Sequence, residues 1–127
     1  MAKLTRATRE REGEKHPTRY YSKKQEDAVA GATSGRRNSN SGAGMWQKGD
    51  VTTDQFLLEC KTRMTDSDSI SVKKEWIEKN KKEAFFMNKE YSAVVFNFGP
   101  DQPNYYIIDE ALFLELQEYL KNKSKKS

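Results

Sequence analysis

Apolar residues recur at helical spacing in three segments of the chain. A first helix is predicted over residues 22–31, because Ser22 is a favourable N-cap residue and Gly31 a favourable terminator. Residues 71–88 carry apolar side chains three and four positions apart with lysines between them, and residues 110–120 show the same periodicity. Both segments therefore predict amphipathic helices.

Shorter runs of apolar and β-branched residues predict strands between these helices. Residues 46–61 have the pattern of a hairpin, with residues 52–55 as its turn. Residues 92–98 are mostly apolar, which is typical of a central strand. The alternation of helices and strands predicts an α/β fold, with a small mixed sheet flanked by helices. The predicted strands cover residues 36–38, 46–51, 56–61, 92–98 and 105–108.

Positive charge is concentrated at both ends of the chain. The 127 residues carry a net charge of +4, and the pI is near 9.1. Residues 1–21 and 121–127 are rich in lysine and arginine and predict flexible basic tails on either side of one domain over residues 22–120. Flexible basic segments bind phosphate without folding first, so a DNA partner is weakly indicated, although solvated tails have the same composition.

The scarcity of cysteine and histidine narrows the possible chemistry. Cys60 is the single cysteine and His16 the single histidine, which excludes an internal disulfide and a conventional structural zinc site. The chain contains no apolar run of the roughly 18 residues needed to cross a bilayer and no stretch resembling a signal peptide, so a cytoplasmic protein is expected. Catalysis would have to use carboxylates, lysines, hydroxyls or a metal ion.

Three reactive residues are brought together by the predicted hairpin. Glu59 and Lys61 are two positions apart on one strand, so their side chains leave the same face. If the turn holds an even number of residues, as with a two- or four-residue loop, Asp50 lies opposite Leu57 and joins that face, diagonal to Glu59 at roughly 6–7 Å, whereas a three-residue loop would put it on the other face. Two carboxylates at this separation suit Mg²⁺, for which Mn²⁺ commonly substitutes. Cys60 points the other way, to a buried side.

These residues resemble the motif of the PD-(D/E)xK nuclease superfamily. Its pattern is an Asp at a strand end, a variable gap, and acidic-x-Lys on the next strand. Asp50 and the triplet Glu59-Cys60-Lys61 match it, whereas Gly49 stands in place of the leading proline. The Ser/Gly-rich residues 39–44 are most similar to archaeal and phage Holliday-junction resolvases. The resemblance covers residues 22–110 and implies a restriction-endonuclease-like core.

The resemblance also implies roles for residues outside the triplet. The first helix would add a carboxylate, Glu26 or alternatively Asp27, and the Cys60 carbonyl would be a further metal ligand. Ser41, or Ser39 in its place, would lie near the scissile phosphate. Positive charge near the site adds expected DNA contacts. The predicted DNA-binding residues are Arg36, Arg37, Ser39 and Lys48.

The expected function is a metal-dependent DNA endonuclease, selective for branched DNA such as four-way junctions and acting as a homodimer. The resemblance implies in-line attack by water, which leaves 5′-phosphate and 3′-hydroxyl ends. A restriction-type, nicking or single-strand nuclease of the same fold remains open, because substrate choice resides in loops. A non-catalytic DNA-binding module with basic tails is the alternative from another functional class. The pattern leaves open whether one or two ions bind.

Overall fold

The computed structural model describes residues 18–38 and 50–126, within which three helices and five strands alternate. No helix in these two ranges is long and apolar enough to span a bilayer. Several residues singled out above lie outside the described ranges, namely Ser39, Ser41, Trp46 and Lys48. The elements are α1 (Thr18–Thr33), β1 (Arg36–Arg37), β2 (Val51–Thr52), β3 (Phe56–Lys61), α2 (Lys74–Phe86), β4 (Tyr91–Phe96), β5 (Tyr105–Ile107) and α3 (Glu110–Lys126).

The five strands form one mixed sheet in the order β1-β2-β3-β4-β5. β3 and β4 are parallel and are joined by α2, whereas the other three neighbouring pairs are antiparallel. A parallel pair needs a crossover connection, and the apolar periodicity of residues 71–88 supplies it as a helix. The predicted α/β class is therefore confirmed, and β3 lies at the centre of the sheet.

α1 covers one face of the sheet. Val29 on this helix is completely buried against Val51, Leu58 and Val95, and Ala93 completes the cluster. Val51 and Leu58 alternate along their strands with Asp50 and Glu59, so the two sets of side chains point to opposite faces of the sheet. Burial of this apolar cluster fixes the orientation of β3 and thereby the face from which Glu59 and Lys61 project.

α2 covers the other face through a buried amide. Asn80 is 1% exposed, and its Nδ2 donates hydrogen bonds to the carbonyls of Leu57 at 3.2 Å and Ala93 at 3.1 Å. These bonds tie the helix to both parallel strands, while Ala84 packs close to the sheet one turn further on. Nδ2 of the buried amide is thus used twice, whereas Oδ1 has no hydrogen-bond partner among the described residues.

The hairpin turn is tighter than the predicted turn over residues 52–55. Thr53 and Phe56 are bonded across a two-residue loop: the Thr53 amide donates to the Phe56 carbonyl at 3.0 Å, and the Phe56 amide donates to Thr53 Oγ1 at 2.9 Å. Val51 pairs with Leu58, so the register continued by one residue puts Asp50 opposite Glu59. The predicted pairing of Asp50 with Leu57 was wrong, but the shift is two residues and the shared face is preserved.

Two helices extend into the predicted tails. Residues 18–21 belong to α1 and residues 121–126 to α3, although both segments were predicted as parts of flexible basic tails. Lysine is a good helix former and favours the C-terminal end of the helix dipole, so the last turns of α3 need no apolar residue to form. Basic charge alone was therefore a poor indicator of disorder.

Candidate active site

Asp50 is held immediately before β2 by the backbone of the next strand. Its carboxylate is 8% exposed, and Oδ2 accepts a hydrogen bond from the Cys60 amide at 2.7 Å. The Asp50 amide in turn donates to the Leu58 carbonyl at 3.1 Å. Both bonds fix the carboxylate over β3, directly beside Glu59.

Glu59 and Lys61 form an ion pair on the α2 side of β3. Lys61 Nζ lies 3.4 Å from Glu59 Oε2, and both side chains are largely shielded from solvent. Burial raises the pKa of Glu59 above its ordinary value, the negative charge of Asp50 raises it further, and the Lys61 ammonium opposes the shift. Two carboxylates are thus held together at a free-energy cost that one lysine only partly offsets.

Trp76 on α2 orients the lysine of the motif. Its indole ring lies 4.8 Å from Lys61 Nζ, within the range of a cation–π contact. The sequence analysis assigned Trp76 to the apolar face of the helix and gave it no role at the site. The helical period alone does not reveal which strand residue a helical tryptophan will meet.

Glu26 is the carboxylate that α1 contributes beside Asp50. It is 8% exposed, and Arg37 Nε donates to its Oε1 at 2.9 Å. Burial raises the pKa of Glu26 and the charge of Asp50 adds to the shift, while Arg37 opposes it. Asp27 is exposed and pairs with Lys23 at 2.9 Å. The structure therefore distinguishes the two acids, and Glu26 is the one near the site.

The predicted phosphate-binding arginines differ in their surroundings. Arg37 is half-buried, and its Nε lies between Glu26 and Asp27, 3.8 Å from Oδ1 of the latter. Arg36 is exposed on the neighbouring position of β1. Arg37 thus neutralises an acid of the site, and Arg36 has the more accessible guanidinium.

Gln25 ties α1 to the end of β3 and was missed by the sequence analysis. Its Nε2 donates to the Lys61 carbonyl at 3.0 Å and to Asn104 Oδ1 at 3.2 Å, and the side chain is 4% exposed. The contact fixes the backbone of Lys61. Its neighbour Glu26 was noticed because it is acidic, whereas a glutamine in a polar helix carries no comparable signal.

The α2 side also supplies positive charge that the sequence analysis did not assign to the site. Lys74 at the start of the helix pairs with Glu78 at 3.7 Å and is largely exposed. The positive charge of Lys79 instead acts on Glu59. Cys60 faces the α1 side as predicted, and burial raises the pKa of its thiol, which makes it a poor nucleophile.

The donors at the site fit a cation that requires few protein ligands. Among residues 18–38 and 50–126, no three His, Cys, Asp or Glu side chains are grouped so that they could hold one metal ion. The three predicted carboxylates, Glu26, Asp50 and Glu59, are therefore not grouped around one position, and Arg37 engages Glu26. The fourth predicted ligand is the backbone carbonyl of Cys60, and its role stays a prediction. Buried Asp50 and half-buried Glu59 remain as neighbouring carboxylates. Mg²⁺ is commonly held by one or two carboxylates together with water and substrate phosphate.

No family model, curated protein or solved structure matches this chain.

Proposed function

We propose that this protein is a divalent-metal-dependent DNA endonuclease that hydrolyses phosphodiester bonds, with branched DNA as its substrate. The observation that carries the proposal is the placement of Asp50, Glu59 and Lys61 on one face at the end of β3. Asp50 is buried, Glu59 is half-buried, and the pair is only partly neutralised, an arrangement that lowers stability and is typical of a functional site.

Asp50 and Glu59 would hold Mg²⁺ or Mn²⁺. When bound, such an ion polarises a phosphoryl oxygen and lowers the pKa of a coordinated water. The protein itself contributes by holding the two carboxylates in place. The Cys60 amide holds the Asp50 carboxylate in place, and Glu59 is held by Lys61. The donors are therefore arranged before substrate arrives.

Lys61 has the position expected of a group that acts on the attacking water or the phosphate. Its ammonium is held between Glu59 and the Trp76 ring, and its own carbonyl is fixed by Gln25. In the proposed reaction, the oxygen of water forms a bond to phosphorus as the bond to the 3′ oxygen breaks. The water loses a proton, the 3′ oxygen gains one, and the products carry 5′-phosphate and 3′-hydroxyl ends. Lys61 orients the water and offsets negative charge on the phosphoryl oxygens.

Positive charge outside the acid pair would position the DNA backbone. Arg36 is exposed on β1, and the sequence places Lys48 two residues before Asp50. Contacts of this kind bind phosphate without reading sequence. Resolution of a four-way junction requires two symmetric cuts, so we propose that the active form is a homodimer with one site in each subunit.

The proposal is tested with a labelled four-way DNA junction and a matched linear duplex, each incubated with Mg²⁺. The wild type should cut the junction in pairs of symmetric positions and leave the duplex largely intact. Asp50→Asn should lower the cleavage rate at least about 100-fold. Asp54→Asn, in the exposed turn of the same hairpin, is the matched control and should cleave normally.

The other outcomes separate the competing functions. Equal cleavage of duplex and junction would retain the nuclease and reject the branched substrate. Binding of both DNAs without cleavage in Mg²⁺ or Mn²⁺ would reject catalysis and leave a basic DNA-binding module. Cleavage that survives Asp50→Asn would place the active site elsewhere.

A further inference from the structure

α3 is strongly amphipathic. Successive residues of an α-helix are about 100° apart, so its large apolar side chains fall within an arc of about 120° on one side, with the exception of Leu114. Charged and amide residues occupy most of the remaining circumference. The residues that form this apolar face are Leu112, Phe113, Leu116, Tyr119 and Leu120.

The apolar face of α3 is not covered by the body of the protein. Phe113 is 52% exposed, Leu116 44%, Tyr119 61% and Leu120 50%. Single exposed apolar residues are ordinary, but a contiguous row of this size on one helix marks an interaction surface. Phe85, 77% exposed, lines the same groove as Leu112 and extends the apolar surface beyond the helix.

The beginning of α3 is anchored to the rest of the domain. Asp109, just before the helix, pairs with Lys81 of α2, and Tyr91 at the start of β4 donates a hydrogen bond to Glu115. The Leu112 amide donates to Asp109 Oδ1 at 2.9 Å and caps the first turn. These contacts direct the helix while its apolar face remains exposed.

The segments outside the described ranges have too few apolar residues to cover this face. Residues 1–17 contain Met1 and Leu4 as large apolar side chains, and residues 39–49 contain Met45 and Trp46. Five large side chains on α3, with Phe85 beside them, need a more apolar partner surface. A second copy of α3 supplies one.

The charges of α3 determine how two copies would pair. Acidic residues lie in its first half, and four lysines lie in its last six residues. A parallel pair would bring eight lysines together, whereas an antiparallel pair sets the acidic half of each helix against the basic half of the other. The acids are Glu110, Glu115 and Glu118, and the lysines are Lys121, Lys123, Lys125 and Lys126.

We propose that α3 is a self-association element that pairs antiparallel with α3 of a second copy of this chain. A pair centred on Leu116 sets Leu112 against Leu120 of the second copy and Phe113 against its Tyr119. The same register brings Lys123, which lies on the apolar side of the helix, next to Asp109 at the start of α3 in the second copy. The surface is inferred from α3 alone, so it stands or falls independently of the nuclease activity proposed above.

The pairing surface is tested by sedimentation equilibrium of the full chain, with Leu116→Glu and Leu114→Glu compared with the wild type. Leu114 is 53% exposed on the opposite side of the same helix, so it is matched in residue type and exposure. The wild type and Leu114→Glu should be dimeric. Leu116→Glu should raise the dissociation constant at least about 100-fold, since the substitution enters the interface twice.

Both variants should keep the wild-type circular dichroism spectrum, because neither side chain is buried within one chain. A wild type that is monomeric at about 100 µM, where a Kd of about 10 µM would be visible, overturns the proposal. A dimer that Leu116→Glu leaves intact overturns it equally.

A charge reversal tests the antiparallel register. Lys123 lies on the apolar side of α3, so Lys123→Glu should weaken an antiparallel dimer by placing negative charge against the acidic start of the second helix. In a parallel pair the same substitution would reduce repulsion between lysines and strengthen the dimer. Lys125→Glu, on the far side of the helix, should change the affinity little. A dimer that Lys123→Glu strengthens or leaves unchanged would reject this register.

Discussion

The acid pair at β3 and the apolar face of α3 depart from ordinary protein structure in opposite directions. At β3, charged groups that favour water are buried, and each is held by a donor or a cation. On α3, apolar groups that favour burial are exposed. Neither arrangement is explained by the stability of a single chain, since burying charge and exposing hydrocarbon both lower it. This contrast is the reason that we propose a polar ligand at β3 and an apolar partner for α3.

The contrast would fail if α3 contributed as much to the stability of a single chain as the core does. Leu57 is completely buried on β3, so Leu57→Ala should lower the free energy of unfolding by about 3 kcal/mol through lost packing and a residual cavity. Leu114→Ala on α3 should change it by less than about 0.5 kcal/mol. Urea denaturation measures both. Equal effects would mean that α3 packs into the core.

The second prediction concerns the site itself. Lys61→Met keeps the length and the apolar contact with Trp76 but removes the charge, so the rate of DNA cleavage should fall about 100-fold. Binding of DNA should change much less, because many phosphate contacts contribute to it. Lys82→Met, on the exposed surface of α2, is the control and should cleave as the wild type does. Full activity of Lys61→Met would remove the lysine from the mechanism.

Asp109 tests how α3 is anchored. Its pKa is lowered by the hydrogen bond with Lys81 and by the Leu112 amide, so the charged form is favoured in the folded state. The stabilisation is therefore present above the ordinary pKa of an aspartate and is lost as the pH falls through the lowered value. Asp109→Ala should cost about 1 kcal/mol at neutral pH, the usual effect of losing an N-cap.

Denaturation at pH 7 and below pH 3 measures this difference for the wild type and the variant. The difference in the free energy of unfolding between the wild type and Asp109→Ala should disappear in acid. A gap of the same size at both pH values would show that the carboxylate charge does not anchor the helix.

The smallest expected effect belongs to Trp76. Trp76→Leu keeps an apolar side chain but removes the cation–π contact with Lys61, so kcat should fall about three-fold with little change in KM. Trp76→Phe retains an aromatic ring, so its kcat should lie between the values for the wild type and for Trp76→Leu. An unchanged kcat in both variants would limit the indole to packing.

Local sequence pattern predicted the parts of the site that depend on strand geometry. Glu59 and Lys61 share a face because residues two apart on a strand must do so. The partner of Asp50 was predicted two positions away from the observed one, because the turn is closed by the Thr53 hydroxyl and holds two residues. Side-chain bonds of this kind determine loop length, and the apolar pattern does not contain them.

Tertiary contacts explain what sequence reasoning missed. Gln25 meets Lys61 and Trp76 meets the same lysine only because α1 and α2 pack on opposite faces of β3. Glu26 and Asp27 were both candidates for the carboxylate contributed by the first helix, and only Glu26 is buried in the structure. The apolar period of residues 110–120 predicted a helix correctly but did not reveal that its apolar face is exposed.

The central claim is that Asp50 and Glu59 are held together to bind a divalent cation. Calorimetric titration of the wild type with Mn²⁺ tests it directly and needs no DNA and no activity. The wild type should show saturable binding that Asp50→Asn abolishes and the exposed control Asp54→Asn retains. No binding to the wild type, or equal affinity in Asp50→Asn, would contradict the claim.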